Sequence, residues 1–290
     1  MSQFLQDISN FIKEKNYPIY AVAEIKDGGE AEHLQIIPGN PCQNSYSVAK
    51  VFVVTAIGLL YDKGLLSTDD LVVELLADEI SADTREKMDD GWNTVTLDMA
   101  LRHRLALPSG FLDIDSGDPR RFGTDYLSYM LTYPLTGEHG KESCYTDGAY
   151  YLLARIAEKL SGERLDTFLW RELFSKLGFH EVAWSCCPMG HCMGATGLYI
   201  YTEDAVKLGE LYMNGGCFGG KRILSEEWVS TVFTRDYELH KSGFGEGYCK
   251  RGMRGQMLAI FPKQNRAVAW HAYGFGAYNE LMYFISQYEN

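Results

Sequence analysis

A serine and a lysine lie three residues apart at the start of a strongly apolar run. Ser47 and Lys50 end the stretch 44–50, and the hydrophobic segment 51–60 follows directly. Residues at this spacing share one face of a helix, so the lysine amine can reach the serine hydroxyl. An amine that takes the hydroxyl proton turns serine into a nucleophile, which indicates acyl-transfer chemistry. Serine also caps many helices, and Ser-x-x-Lys arises by chance in many helices, so this short pattern does not by itself assign a catalytic role.

Such chemistry needs a Lys50 that is neutral part of the time, which burial or a second nearby cation would favour. Two later stretches offer further polar groups. Tyr145 and Asp147 stand two residues apart in a loop ahead of a predicted helix. Lys250 precedes a predicted strand, and Gly252 two residues on permits a ligand to approach the backbone closely. The three stretches together are candidates for one site.

In order and spacing, these stretches resemble the motifs of the serine β-lactamase and penicillin-binding protein superfamily, on its class C and esterase-like side. Segments 105–111, 194–204 and 214–225 are similar to other recurrent stretches of that family, and the resemblance spans about residues 4–275. The three matches are Ser47 and Lys50 with Ser-x-x-Lys, Tyr145 to Asp147 with Tyr-x-Asn, and Lys250 to Gly252 with Lys-Thr-Gly.

The resemblance implies a role for each matched residue. Ser47 would be the acylated nucleophile, Lys50 its base, and Tyr145 a proton relay to the leaving group or the deacylating water. Lys250 would hold the local field and attract a substrate carboxylate. The backbone N–H groups of Ser47 and Met253 would form the oxyanion hole. We expect no cofactor and no metal, and a small-molecule or peptide substrate that carries a carboxylate.

Two positions depart from the family pattern. Asp147 replaces the usual Asn, and its charge could pair with Lys50 or Lys250; pairing with Lys50 would favour the ammonium form, a poorer base. Arg251 replaces a Thr or Ser that contacts the substrate carboxylate. Arginine could bind that group bidentately, although strand alternation can turn it away. Gly252 and Met253 complete the predicted support of the site.

The departures leave two functions open. The first is a serine hydrolase, with carboxypeptidase, esterase or β-lactamase activity on a peptide, amide or ester. The second is a catalytically weak or inactive penicillin-binding or sensor domain of the same fold. Two local alternatives also stay open: Lys241-Ser242-Gly243 as the third motif, and a metal site formed by Cys186, Cys187, His191 and Cys192. Adjacent cysteines rarely ligate one zinc ion, so the sequence favours no metal.

Composition narrows the partners and the compartment. The formal charge of −12 disfavours nucleic acid or an anionic membrane surface as the main partner. Segment 51–60 is too short to span a bilayer. Residues 1–7 lack the basic start and apolar stretch of a secretory signal, and the seven cysteines are expected to be free thiols. These features predict a cytoplasmic protein, with a trimmed secreted form and the oligomeric state left open.

The order of elements predicts the fold class. Strand patterns near both chain ends and helical patterns between them indicate an α/β (α+β) protein with an antiparallel sheet flanked by helices. We expect residues 1–65 and 198–290 to form this sheet domain, residues 66–197 to form an inserted helical domain, and the active site to lie at their junction. The resemblance makes the fold β-lactamase/transpeptidase-like. Predicted elements include helices over residues 3–15, 47–64, 121–131, 149–160, 165–177, 203–213, 225–233 and 277–288, and strands over 19–25, 33–37, 256–261 and 266–271.

Overall fold

The computed structural model describes residues 1–274, 276 and 278–288, without the side chain of Tyr278. The chain forms two compact units. The first unit comprises residues 1–51, 171–183 and 198–290, and the second comprises residues 52–170 and 184–197. The domain division drawn from the sequence stays a prediction. Within the described residues, every helix is too short or too polar to cross a membrane.

The strands of the described residues are mostly short and concentrate in the first unit. They are β1 (Ile19–Lys26), β2 (Glu32–Gln35), β3 (Cys42–Asn44), β4 (Ala183–Trp184), β5 (Leu198–Tyr201), β6 (Cys217–Phe218), β7 (Lys221–Arg222), β8 (His240–Lys241), β9 (Tyr248–Arg251), β10 (Met257–Phe261) and β11 (Arg266–Ala272).

The α-helices of the described residues occur in both units. They are α1 (Gln3–Glu14), α2 (Ala49–Asp62), α3 (Val72–Leu75), α4 (Ala82–Lys87), α5 (Leu97–Leu101), α6 (Tyr126–Leu131), α7 (Asp147–Ser161), α8 (Leu165–Leu169), α9 (Thr202–Met213), α10 (Glu226–Arg235) and α11 (Tyr278–Ser286).

The first unit is built on a six-stranded antiparallel sheet in the order β2-β1-β11-β10-β9-β8. Helices α1 and α11 share one apolar cluster with Ala259 and Val268, on one face of the sheet. On the other face, Gly209 of α9 approaches Leu258 and Ala267 so closely that a Cβ would lie 3.0 Å from Leu258 Cδ1. Both faces are therefore covered, which explains why β10 and β11 are continuously buried. The antiparallel sheet flanked by helices confirms the predicted fold class.

The second unit is mostly helical and is organised around α7. This helix is buried along most of its length and packs against α3, α5 and α8. The Thr146 side chain caps its first turn by accepting from the Gly148 N–H, and Gly162, with φ of +71°, ends it in the left-handed conformation. A capped, buried helix gives the residues at its N-terminus a fixed position.

Several predicted elements are shorter in the structure, for identifiable reasons. The helix expected from residue 47 begins as a 3₁₀ turn over Tyr46–Val48 before α2. The helix expected over residues 121–131 is interrupted by Gly123, whose φ is +70°, and resumes as α6. The helix expected over residues 165–177 becomes a π-helical turn at Trp170–Phe174. Ala277, where the closing helix was predicted to begin, lies outside the described residues.

Candidate active site

The turn that presents Ser47 is tightly held within the first unit. Tyr46 has a positive φ of +46°, a conformation that costs a non-glycine residue on the order of 1–3 kcal/mol. Two bonds to the Leu198 carbonyl offset this strain, from the Ser45 N–H at 2.7 Å and the Ser45 hydroxyl at 2.8 Å. The Asn44 side chain accepts from the Tyr46 N–H at 2.9 Å. The turn is therefore fixed by β5 before α2 begins.

Lys50 reaches Ser47 as the sequence spacing predicts. The Lys50 Nζ lies 3.1 Å from the Ser47 Oγ, and the lysine side chain is 0% exposed. Burial disfavours the charged ammonium and so favours an amine that can take the hydroxyl proton. Ser47 is the middle residue of the 3₁₀ turn Tyr46–Val48, and α2 begins at Ala49. Its contact with Lys50 is the one that an activated serine would require.

Lys250 forms a buried ion pair with Glu238. The two side chains are 5% and 1% exposed. Glu238 has a positive φ of +66°, and its carboxylate also lies 3.8 Å from His240 Nε2. The nearby Glu238 carboxylate raises the pKa of His240 above its usual value. Glu238 could not be predicted from the sequence, because no motif marks a carboxylate twelve residues before its partner.

Arg251 and Lys250 lie on opposite faces of β9. Lys250 is buried, whereas Arg251 is exposed and donates to the Asn279 side chain at 3.4 Å. Cys249, two residues before Arg251, lies on the same face of β9. The structure therefore places Arg251 away from the Lys250 side chain, as strand alternation allowed.

Gly252 brings the end of β9 against the serine turn. A Cβ at this position would lie 2.7 Å from the Ser45 carbonyl oxygen and 2.9 Å from the Gln256 Cβ. Only glycine permits this approach without a shift of the backbone. The following 3₁₀ turn opens at the partly exposed Met253 and also contacts the Tyr46–Val48 turn. Within the first unit, the first and third motifs are therefore neighbours.

The rival third motif has a different environment. Lys241 ends the edge strand β8 and is exposed, in contrast to the buried Lys250. Ser242 and Gly243 belong to the turn that follows, where the Ser242 N–H donates to the Gly247 carbonyl at 2.8 Å. The surroundings of Lys250 are those of a buried site, and the surroundings of Lys241 are those of a surface hairpin.

Tyr145 is presented at the surface of the second unit. Its side chain is 42% exposed, and its ring centroid lies 4.5 Å from that of His103. The Gly110 N–H donates to the Tyr145 carbonyl at 3.0 Å, and the Thr146 N–H donates to His103 Nδ1 at 3.3 Å. His103 thus positions the second motif, a role that sequence analysis did not assign because histidine lies in a separate loop.

Asp147 belongs to a cluster of three carboxylates in the second unit. Oxygen atoms of Asp113, Asp115 and Asp147 all lie within 4.8 Å of one another, and Asp147 is 7% exposed as the first residue of α7. The Thr196 hydroxyl donates to Asp115 at 2.6 Å. Among the described residues, this cluster offers the set of oxygen ligands that could hold a metal ion. Sequence analysis missed Asp113 and Asp115 because their proximity to Asp147 arises only in the folded chain.

Two of the residues considered for a metal site, His191 and Cys187, are hydrogen-bonded to different groups. His191 Nδ1 bonds Glu158 at 2.6 Å, and the Cys187 thiol accepts from the Tyr151 hydroxyl at 3.4 Å. Within the part of the chain that the structure describes, these residues do not bring three ligand atoms within 4.8 Å of one another. The described part of this segment therefore offers no position where three of these side chains could bind one metal ion.

This fold and the Ser47–Lys50 pair define a class of protein, the serine β-lactamase and penicillin-binding protein superfamily. Comparisons with known proteins agree with this assignment. The solved penicillin-binding protein from Bacillus halodurans superposes with a TM-score of 0.70 at 18% identity, covering 98% of this chain and 99% of that one. The family model described as Beta-lactamase matches residues 6–281. The chain therefore belongs to the β-lactamase family, as its motifs predicted.

Two curated relatives extend this finding. Penicillin-binding protein 4 of Amycolatopsis lactamdurans is 31% identical over 144 residues, covering 47% of this chain and 34% of its own length. The 6-aminohexanoate-dimer hydrolase of Paenarthrobacter ureafaciens is 25% identical over 249 residues, covering 74% of this chain and 59% of its own. This chain therefore spans about a third to three fifths of these relatives.

Proposed function

We propose that the protein is a serine hydrolase that forms an acyl-enzyme at Ser47 and cleaves a peptide, amide or ester bond. The observation that carries this proposal is the 3.1 Å contact between Lys50 Nζ and Ser47 Oγ, made by a fully buried lysine. Burial favours the neutral amine, and the contact gives that amine the hydroxyl proton to accept.

The proposed reaction has two halves. The Lys50 amine takes the Ser47 proton while Oγ attacks the carbonyl carbon, and the resulting oxyanion accepts from the N–H groups of Ser47 and Met253. The tetrahedral species collapses, the leaving group takes a proton, and water later releases the acid from Ser47. Tyr145 is assigned the proton relay on the strength of the family resemblance.

The Lys250–Glu238 pair bears on the substrate class. Glu238 compensates the charge of Lys250, and Arg251 lies on the other face of β9. Both features weaken the attraction for a substrate carboxylate that the sequence predicts. We therefore rank uncharged esters and amides above β-lactams as substrates. The relative named for a dimer hydrolase supports amide cleavage in this family.

The test is covalent labelling of the purified protein with a fluorophosphonate probe and, separately, with a penicillin. Intact mass and peptide mapping should place one adduct on Ser47, and Ser47→Ala should abolish it. Ser230→Ala, at an exposed serine on α10, is the matched control and should label normally. Failure of both probes to label, or an adduct that persists in Ser47→Ala, would overturn the proposal.

Turnover with a substrate panel resolves the activity. Short-chain esters, D-amino-acid peptides and β-lactams should be compared at equal concentration, with release of the acid as the readout. We expect esters and uncharged amides to turn over fastest. A clear preference for carboxylate-bearing substrates would contradict the ranking based on Glu238.

Asp147 favours a second candidate, a binding or sensor domain without turnover. Its carboxylate replaces the family Asn and lies among two other carboxylates, which makes this part of the second unit strongly acidic. A stable penicillin adduct without hydrolysis of any substrate would support this candidate. If the Asp147 charge limits acylation, Asp147→Asn should raise the labelling rate, and an unchanged rate would remove the charge argument.

A further inference from the structure

Cys186 and Cys192 face each other across a short hairpin of the second unit. They form an isolated antiparallel bridge. Backbone bonds flank the pair on both sides, from the Cys187 N–H to the His191 carbonyl at 2.8 Å and from the Met193 N–H to the Ser185 carbonyl at 2.9 Å. The pair therefore occupies a non-hydrogen-bonded position, where facing Cα atoms are about 4.5 Å apart. That separation lies within the range of natural disulfides.

The two side chains lie on the same side of this bridge. The Cys186 thiol donates to the Trp184 carbonyl at 3.5 Å, and Arg164 Nη2 donates to the Cys186 sulfur at 3.5 Å. Cys186 is exposed, whereas Cys192 is buried. A reagent can therefore reach the Cys186 thiol. The Cys192 thiol lies beside it and can then attack the modified Cys186 sulfur. Cys187 has a different partner, since it is buried and accepts from the Tyr151 hydroxyl.

The hairpin is held in this arrangement by Glu158. Its carboxylate accepts from the Cys192 N–H at 3.2 Å and bonds His191 at 2.6 Å. Partial burial raises the pKa of the Cys186 thiol, although Arg164 opposes the shift, and burial raises the pKa of Cys192 strongly. Both thiols are therefore protonated near neutral pH, so the pair reacts slowly and reacts faster as the pH rises.

We propose that Cys186 and Cys192 form a reversible thiol–disulfide site that is oxidised by low-molecular-weight disulfides. The Cys186 thiolate attacks one sulfur of the reagent, forming a mixed disulfide and releasing one thiolate. Cys192 then loses its proton and attacks the Cys186 sulfur, and the second thiolate leaves. The protein loses two hydrogen atoms, and the reagent is reduced to two thiols.

The bond would restrain a segment that reaches the carboxylate cluster. Beside the hairpin, the Ser185 N–H donates to the Gly197 carbonyl at 2.8 Å, and the Trp184 indole donates to the Thr196 carbonyl at 3.0 Å. Thr196 in turn donates to Asp115. Oxidation should therefore slow amide hydrogen exchange over Trp184–Gly197, and exchange in α1 should stay unchanged.

The direct test is incubation of the full chain with oxidised glutathione at mildly alkaline pH, followed by thiol counting after denaturation. The seven thiols of the reduced chain should fall by two, and dithiothreitol should restore them. Cyanogen bromide cleaves after Met189, between Cys187 and Cys192, so the new bond should keep two fragments joined. A full thiol count, a persistent glutathione adduct, or a bond between any other pair would overturn the proposal.

Single variants identify the partners. Cys192→Ser should stop at a glutathione adduct on Cys186, and Cys186→Ser should lose no thiol to a disulfide. Cys186 is exposed, so its variant keeps the test valid if the buried Cys192→Ser fails to fold. Cys217→Ser, at a half-buried cysteine of the first unit, is the matched control and should still form the bond. None of these readouts requires turnover at Ser47, so this proposal and the proposed function fail independently.

Discussion

The first unit contains two buried lysines whose surroundings differ in kind. Lys50 is in contact with the Ser47 hydroxyl, and Lys250 is paired with the Glu238 carboxylate. A hydroxyl has a proton to give to a neutral amine, whereas a carboxylate stabilises the charged ammonium. The comparison shows that two lysines with similar burial in one unit contact different polar groups, a hydroxyl in one case and a carboxylate in the other.

Two histidines of the same unit show the same contrast. His271 is fully buried, 2.8 Å from the Thr202 hydroxyl, and burial lowers its pKa to about 4. His240 lies beside Glu238, and that nearby carboxylate raises its pKa. The pKa of each of these two histidines therefore depends on its degree of burial and on the groups beside it, rather than on residue type.

The largest effect should come from Lys50. We expect Lys50→Met to slow acylation of Ser47 by about 10²–10⁴-fold, the usual contribution of a general base. The time course of fluorophosphonate labelling, followed by intact mass, measures this rate. Lys13→Met, at an exposed lysine of α1, is the control. Labelling of Lys50→Met at the unaltered rate would show that Lys50 is not the base.

Lys250 should act chiefly through its ion pair. Removing either partner breaks a buried ion pair, so Lys250→Met or Glu238→Gln should each cost about 3–5 kcal/mol of unfolding free energy. The double variant should cost clearly less than the sum of the two. Urea unfolding of the four proteins measures this coupling. Strict additivity would contradict a direct pair.

His271 provides a pH-dependent test. Its pKa is about 4 in the folded chain and 6.5 ordinarily, so only the unfolded chain binds the proton between these values. Stability is therefore fully present above pH 6.5 and falls as the pH drops towards 4, by about 3 kcal/mol in total. Urea unfolding from pH 4 to 7 should show this slope. His271→Gln should flatten it, and an equal slope in the variant would rule out His271 as its source.

Local periodicity explains what the sequence could predict. The contact between Ser47 and Lys50 follows from one helical turn, and the outward direction of Arg251 follows from strand alternation. The antiparallel pairing of β10 with β11 was signalled by a short loop between two apolar runs. In each case the partners are close in the chain, so their geometry is fixed by the element itself.

Contacts between distant segments could not be predicted in this way. Glu238 reaches Lys250 and Asp113 reaches Asp147 only because the chain folds back on itself. The positive φ of Tyr46 was equally hidden, since a tyrosine carries no sequence signal for that conformation. Within each unit, these residues supply charge or backbone strain close to the predicted motifs, which is why the sequence predicted the motifs better than their electrostatics.

A smaller effect is expected at Gly252, where β9 passes the serine turn. The Cβ of Gly252→Ala would lie 2.7 Å from the Ser45 carbonyl oxygen, so the backbone must shift. We expect a loss of about 1–3 kcal/mol in unfolding free energy, together with slower labelling of Ser47. Gly276→Ala, where a Cβ meets nothing within 4 Å, is the control. Wild-type stability and labelling in Gly252→Ala would show that this close approach is not required.

The smallest effect concerns His240, whose side chain is 46% exposed. Its pKa in the folded chain is raised above 6.5 by Glu238 and Asp236, with Lys250 opposing. The stabilisation is therefore fully present below pH 6.5 and is lost as the pH rises through the raised value, opposite in sign to that of His271. Urea unfolding between pH 6 and 9 should show a decline in the wild type that is weaker in His240→Gln. Solvent screening at this exposed ring keeps the difference below that of His271. A decline that is unchanged in the variant would show that His240 is not its source.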